Sequence, residues 1–203
     1  INKRIFLGYF TFKNILLASN IVDSSSITAN LGIGGAVIMN NKIRRGSLTV
    51  TNSGTEKILV YNNEFTGTPN ANTVITATGK VIIYGNFIVG GGTGVNAGND
   101  TKIFGNEFRN NINHCVLISP PINGTISNIT INANKFMDSP GNGILFYNAE
   151  NRYDRSFQNI NVMNNLFSSI AKGVEYQGGT YYNSQHYSNV TSRFANNVLI
   201  GCQ

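Results

Sequence analysis

Residues 61–65 read Tyr-Asn-Asn-Glu-Phe, and close variants of this stretch return along the chain. They are Phe-Gly-Asn-Glu-Phe at 104–108, Asn-Ala-Asn-Lys-Phe at 132–136 and Met-Asn-Asn-Leu-Phe at 163–167. Aligning the chain on the shared Asn gives Asn20, Asn41, Asn63, Asn86, Asn106, Asn134, Asn165 and Asn197, at steps of 21, 22, 23, 20, 28, 31 and 32 residues. Two places after each Asn stands Val22, Ile43, Phe65, Ile88, Phe108, Phe136, Phe167 or Leu199. Three places before stands Leu17, Ile38, Val60, Ile83, Ile103, Ile131, Val162 or Phe194. Ile15, Ala36, Ile58, Val81, Ile129 and Ile160 extend the pattern five places before.

Apolar residues at −5, −3 and +2 have the two-residue period of a strand with one buried face. The Asn at the zero position marks a bend between two short strands. A further alternating strand follows, with inward pairs Ile27/Ala29, Leu48/Val50, Val74/Thr76, Val95/Ala97, Val116/Ile118, Ile144/Phe146 and Val174/Tyr176. Each unit is then one coil of short strands. Stacked coils pair at about 4.8 Å and make a parallel β-helix, a single-stranded solenoid of eight or so rungs. Buried Asn side chains would cost several kcal/mol unpaired. Stacked on one another, they satisfy themselves as a ladder. A leucine-rich repeat is excluded by the missing Leu pattern. A β-sandwich would not hold one Asn column through eight units.

Composition agrees. Among 203 residues there are 33 Asn and 22 Gly, and only 12% are charged. Asn and Gly disfavour helix interiors and favour turns and left-handed backbone. The net charge is +6. No apolar run approaches the 18 or so residues of a membrane-spanning helix, so membrane insertion is not expected. No signal peptide is visible, and Ile1 opens the sequence. The expectation is one β-helix domain over 1–203, a fragment of a longer chain. Cys115 and Cys202 sit three rungs apart, about 14 Å along the axis, too far for a disulfide. Both thiols are expected free, with Cys115 buried.

The repeated apolar-x-apolar-x-x-Asn-x-apolar pattern, running from about 14 to 200, resembles the pectate-lyase-like right-handed β-helix superfamily. That family includes pectate lyases, polygalacturonases, alginate-modifying enzymes and bacteriophage tailspikes. The resemblance implies a right-handed coil, as the general crossover rule does. It also implies an extracellular or virion-surface protein that handles polysaccharide, most like a tailspike or depolymerase domain. The motif reports the core rather than a site. The Asp pair and Gly-His-Gly of polygalacturonases are missing, and Gly98-Asn99-Asp100 is a faint echo of their Asn-Thr-Asp.

The last three rungs are the longest, so loops are expected at 119–127, 148–158 and 177–189. Loops on a rigid scaffold carry binding and catalysis. Glu150, Arg152, Tyr153, Asp154 and Arg155 lie in the middle one, and Tyr181, Tyr182, His186 and Tyr187 in the last. Glu175 alternates outward just before it. Tyr147, Tyr181, Tyr182, Tyr187 and His186 suit sugar faces and hydroxyls. Arg152 and Arg155 suit an acidic group such as a capsule or O-antigen uronate. Glycoside hydrolysis needs two carboxyls about 5–5.5 Å or 6.5–9.5 Å apart, and Glu175 with Glu150 or Asp154 are the candidates. An ion pair of Asp154 with Arg152 or Arg155, holding the loop in shape, is the simpler reading of the same residues. A lyase would use Arg152, Arg155 or a Tyr as base. No acid cluster for calcium is present, and no zinc, nucleotide or phosphate motif. No cofactor, metal or nucleic-acid partner is expected. His114 reads as a turn or core residue. Outward positions Met39, Tyr61, Tyr84, Phe104 and Met163, beside Leu16, Val37, Leu59 and Ile82, form an apolar stripe unusual for a monomer. It suits a homotrimer interface, a covering loop or domain, or a sugar platform. A non-catalytic structural or adhesive β-helix and a secreted pectate-lyase-like enzyme are the alternatives to the tailspike reading.

Overall fold

The computed structural model describes residues 5–7, 15–31, 34–68, 73–121, 124–147, 156–177 and 192–202. They form twenty-four strands in eight rungs of three. Rungs one and two hold β1 (Ile5–Leu7), β2 (Ile15–Ala18), β3 (Ile21–Asp23), β4 (Ile27–Leu31), β5 (Ala36–Met39) and β6 (Lys42–Arg44). Rungs three and four hold β7 (Leu48–Asn52), β8 (Ile58–Tyr61), β9 (Glu64–Thr66), β10 (Ile75–Gly79), β11 (Val81–Tyr84) and β12 (Phe87–Val89). Rungs five and six hold β13 (Thr93–Ala97), β14 (Lys102–Phe104), β15 (Glu107–Arg109), β16 (His114–Ile118), β17 (Thr125–Asn132) and β18 (Lys135–Met137). Rungs seven and eight hold β19 (Asn142–Tyr147), β20 (Ser156–Met163), β21 (Leu166–Ser168), β22 (Lys172–Gln177), β23 (Ser192–Ala195) and β24 (Val198–Ile200). The first strands of all rungs make one eight-stranded sheet, the second strands another and the third strands a third. Every pairing is parallel, for example Ile82↔Lys102 and Phe108↔Phe136. This is a right-handed parallel β-helix, as the repeat predicts.

The Asn column is continuous. Asn63 donates from its backbone N and its Nδ2 to Asn86 Oδ1, at 2.9 and 3.0 Å. Asn86 does the same to Asn106 Oδ1, and Asn106 to Asn134 Oδ1. The same pair of bonds joins Asn20 to Asn41, Asn41 to Asn63, Asn134 to Asn165 and Asn165 to Asn197. Each Nδ2 from Asn41 onward also reaches back to a carbonyl of the rung before, such as Asn86 Nδ2 to Val60 O at 2.9 Å. Buried amides are therefore paired on both sides, as burial requires.

The residue before each ladder Asn has a separate role. Ser19, Asn40, Asn62, Gly85, Gly105, Ala133, Asn164 and Asn196 all have φ between 52° and 62°. This left-handed corner turns the second sheet into the third, and Asn and Gly adopt it at least cost. In Tyr61-Asn62-Asn63, Asn62 makes the corner and Asn63 the ladder bond. A further corner, Asp100, Asn128 and Asn159, stacks on the exterior: Asn128 Nδ2 donates to Asp100 Oδ1 and Asn159 Nδ2 to Asn128 Oδ1, both at 2.8 Å.

Inside, Ile38, Val60, Ile83, Ile103, Ile131 and Val162 line one wall, fully buried. Phe108, Phe136 and Phe167 stack along another, with centroids 5.0 and 4.7 Å apart. The facing strand gives them room: a Cβ on Gly143 would lie 2.6 Å from the Phe167 ring. Thr101 and Ser192 are the polar exceptions at −5, and Thr101 is buried.

Three expectations change. The inward pair of rung four is Ile75/Ala77 rather than Val74/Thr76, because Ile75 pairs with Leu48 and Val95. A one-residue shift in register exchanges the two faces of a strand. The long connections are also partly strand. Thr125, Ile126 and Ser127 pair with Ser156, Phe157 and Gln158, and Ile126 and Phe157 are buried. Rungs six and seven thus spend their extra length partly on a wider core, where Phe157 meets Phe146 and Tyr176 edge-on. Finally, Val174, Tyr176, Phe194 and Leu199 keep their inward registers yet are exposed, because they belong to the last rung.

Candidate functional site

Of the residues assigned to a site from sequence, Glu175 and Tyr147 are described. Glu150, Arg152, Asp154, Arg155, Tyr181, Tyr182, His186 and Tyr187 lie outside the described residues. Alternation along β22 puts Glu175 on the outer face of the first sheet, in register with Leu145 of β19. Two positions on, Tyr147 pairs with Gln177 and is 38% exposed. Three positions before Glu175, Lys172 pairs with Asn142, which pairs in turn with His114. Parallel pairing thus gathers six side chains from three rungs onto one face.

Their polar atoms converge on Glu175. Its Oε1 takes the Lys172 ammonium at 2.5 Å. Its Oε2 accepts from Asn142 Nδ2 at 2.7 Å and from Gln177 Nε2 at 3.2 Å. Asn142 Nδ2 also lies 3.5 Å from His114 Nδ1. The Lys172 bond, with those of Gln177 and Asn142, holds the Glu175 carboxyl below its ordinary range against a smaller opposing effect of burial. The Glu175 side chain is only 18% exposed. Burial pushes the His114 imidazole below its usual value, and the Glu175 charge partly offsets this. At neutral pH the cluster holds an ionised carboxylate, an ammonium and a neutral imidazole.

This arrangement can accept and donate hydrogen bonds on one face beside an exposed aromatic ring. A general acid needs a raised carboxyl pKa, and Glu175 has the reverse. The other described acids are Asp23, Glu64 and Glu107 on the third sheet, and Glu56, Asp100 and Asp138 on turns, so none shares its sheet. Among the described residues no group of three or more His, Cys, Asp or Glu is placed to hold a metal ion.

His114, Asn142, Lys172 and Gln177 were not assigned to the site from sequence. His114 is the first residue of β16, half-buried on the outer face, rather than a turn or core residue. Asn142 and Glu175 lie 28 and 61 residues after it, so only the register brings the three together. Strand parity was a signal for Gln177 alone, which is in phase with Glu175; His114, Asn142 and Lys172 have the parity of the inward Val116, Ile144 and Val174, and the register skips the intervening Cys115, Gly143 and Gly173.

The apolar stripe occupies the outer face of the second sheet. Tyr61, Tyr84 and Phe104 stack at 4.8 and 5.1 Å with planes within 11° and 5°. Tyr61 Oη donates to Met39 Sδ at 2.6 Å. The ring faces are covered by one another, so the ladder presents edges. A sugar platform needs open faces, which removes that option for the interior of the stripe. Asn132 interrupts the column before Met163. Cys115 is buried and free, and Cys202 is also free.

No protein-family model matches the chain, and no curated protein matches it.

Proposed function

We propose that this β-helix binds an extended polysaccharide on the outer face of its first sheet, in the last three rungs, as tailspike-like depolymerase and receptor-binding domains do. The carrying observation is the six-residue cluster of His114, Asn142, Tyr147, Lys172, Glu175 and Gln177, beside the longest connections of the solenoid. Fixed donors and acceptors beside an exposed Tyr ring match sugar hydroxyls and a sugar face. Arg152 and Arg155 extend the reading to an acidic capsule or O-antigen. It carries an extracellular or virion-surface location with it, and a homotrimer packed through Met39, Tyr61, Tyr84 and Phe104.

Cleavage is a second reading. Its ionised state gives Glu175 the part of base or nucleophile, which leaves Glu150 or Asp154 as the acid. A screen of bacterial capsules and O-antigens for binding and depolymerisation tests both readings. A bound polymer should lose about tenfold or more in affinity, ~1.4 kcal/mol, with Tyr147→Ala. Glu175→Ala should abolish cleavage where cleavage occurs. Cleavage unchanged by Glu175→Ala removes the catalytic reading. Failure of the intact protein to bind any polymer overturns the proposal in favour of a structural or adhesive solenoid.

A further inference from the structure

The outer face of the first sheet differs along its length. Its last three rungs carry the cluster around Glu175, whereas rungs two to four carry a grid of small polar side chains. Thr28, Thr49 and Thr76 stand side by side in one column, and Asn96 continues it in rung five. Asn30, Thr51 and Thr78 make a second column two residues along. Ser26 and Ser47 flank the first column and bond to each other, Oγ to Oγ, at 2.9 Å. β4, β7, β10 and β13 hold no charged residue, while β6, β9 and β15 of the third sheet each hold at least one.

The grid is regular, stiff and open. β4, β7 and β10 pair over five residues with no position skipped; from β13 onward the register of this sheet passes over one. Thr is stiff at χ1, and the buried Ala29, Val50 and Ala77 seat the three strands on the core. Thr28, Thr49, Thr51, Thr76, Thr78 and Asn30 make no side-chain hydrogen bond among the described residues. Outer amides elsewhere are already engaged, as in Asn159 with Asn128 and Asn164 with Asn132. Gly98 leaves Thr78 uncovered in the next rung, where a Cβ would lie 2.7 Å from Thr78 Oγ1.

The repeats of the grid are about 4.8 Å between rungs and, at twice the rise per residue, about 6.6 Å along a strand. Both lie near the oxygen repeats on a prism face of hexagonal ice. Each Thr sets a methyl beside a hydroxyl. Water over methyls loses orientational freedom, and the hydroxyls pin it at fixed points. Where that pinned layer matches the lattice, it joins the crystal. A dissolved sugar chain fits less well, because these two columns hold no aromatic ring and no bidentate group.

We propose that the Thr grid of rungs two to four is an ice-binding face, which adsorbs the chain to a growing ice surface. The proposal is independent of the sugar-binding reading and uses other residues.

The test uses the full chain in nanolitre osmometry, with partition into slowly growing ice as a second readout. A freezing point held below the melting point, faceted crystals and protein enriched in the ice are expected. Thr49→Lys, at the centre of the grid, is expected to abolish all three, because a strongly hydrated ammonium breaks the match. Thr66→Lys places the same charge on an exposed Thr of the third sheet and is expected to change none of them. Asn30→Thr completes the second column and is expected to widen the gap between freezing and melting. Circular dichroism checks the fold of each variant; should Thr49→Lys unfold, Thr51→Lys at an exposed position decides in its place. The proposal is overturned by a parent protein excluded from ice with no freezing-point gap at any concentration. Activity that persists in folded Thr49→Lys, or that falls equally in Thr66→Lys, also overturns it. A polymer bound by the parent and lost in Thr49→Lys, with no effect on ice, would overturn it in favour of a further sugar subsite.

Discussion

Replacing Asn86 by Ala tests whether the ladder holds the rungs together. Asn86 is 2% exposed. Its Oδ1 accepts from Asn63 N and Nδ2, and its Nδ2 donates to Asn106 Oδ1, Val60 O and Tyr84 O. Ala removes all of these. Asn63 Nδ2 keeps Ile38 O and Tyr61 O, and Asn106 Oδ1 keeps Asn86 N. Asn63 N–H is left buried without an acceptor, which costs about 1–3 kcal/mol. Val60 O loses a donor as well, at roughly 1 kcal/mol. The expected loss is about 3 kcal/mol. Asn20→Ala is the control, because half-exposed Asn20 leaves no buried donor behind and should cost under about 1 kcal/mol. Urea unfolding followed by circular dichroism and fluorescence gives both values from the midpoints at a common slope. Equal losses for the two variants, or a loss below about 1 kcal/mol for Asn86→Ala, would refute the account of the ladder.

Phe136 stacks between Phe108 and Phe167 and is fully buried, so Phe136→Ala should cost about 3–5 kcal/mol in the same assay. Gly143→Ala should cost about 1–3 kcal/mol, because its Cβ would meet Gly173 O at 2.5 Å and the Phe167 ring at 2.6 Å; a neutral result would mean that rung seven relaxes freely. Burial pushes the Cys115 thiol up to about 12, against a smaller effect of Ser139. A thiol reagent should therefore titrate one cysteine, Cys202, in the native protein and both in denaturant, and rapid native reaction of both would contradict the burial. The folded Glu175 carboxyl titrates below its unfolded value of about 4.3. Its stabilising contribution is present above that value and is lost as pH falls through the lower folded one. Glu175→Gln should flatten the fall in stability across that acid window, and an unchanged slope would show that Lys172, Gln177 and Asn142 do not act on it.

The core was legible because its signal is local. Residues such as Val60 and Phe65 flank Asn63 within one unit, and the count from −3 to +2 gives their inward phase directly. The role of Asn62 was less visible, since its requirement is a positive φ that Ser19 and Ala133 also meet. Rung four was misread because Val74 is apolar and buried while Ile75 holds the paired register, and neither fact shows in alternation alone. At the site, Glu175 was legible as outward. Asn142 and Lys172, which set its ionisation, were not, because the preceding loops vary in length.

From sequence alone follow the solenoid, its core walls and the Asn column, because these arise from a two-residue period repeated in eight units. Only the tertiary structure decides which side chains of different rungs meet. A contact such as Asn142 with Glu175 joins residues 33 apart, and a slip of one residue in the intervening turn would send either side chain to the opposite face. Hence the charge state of Glu175 and the self-covered aromatic ladder belong to the register between rungs, which is set by strand pairing between distant segments rather than by neighbouring residues.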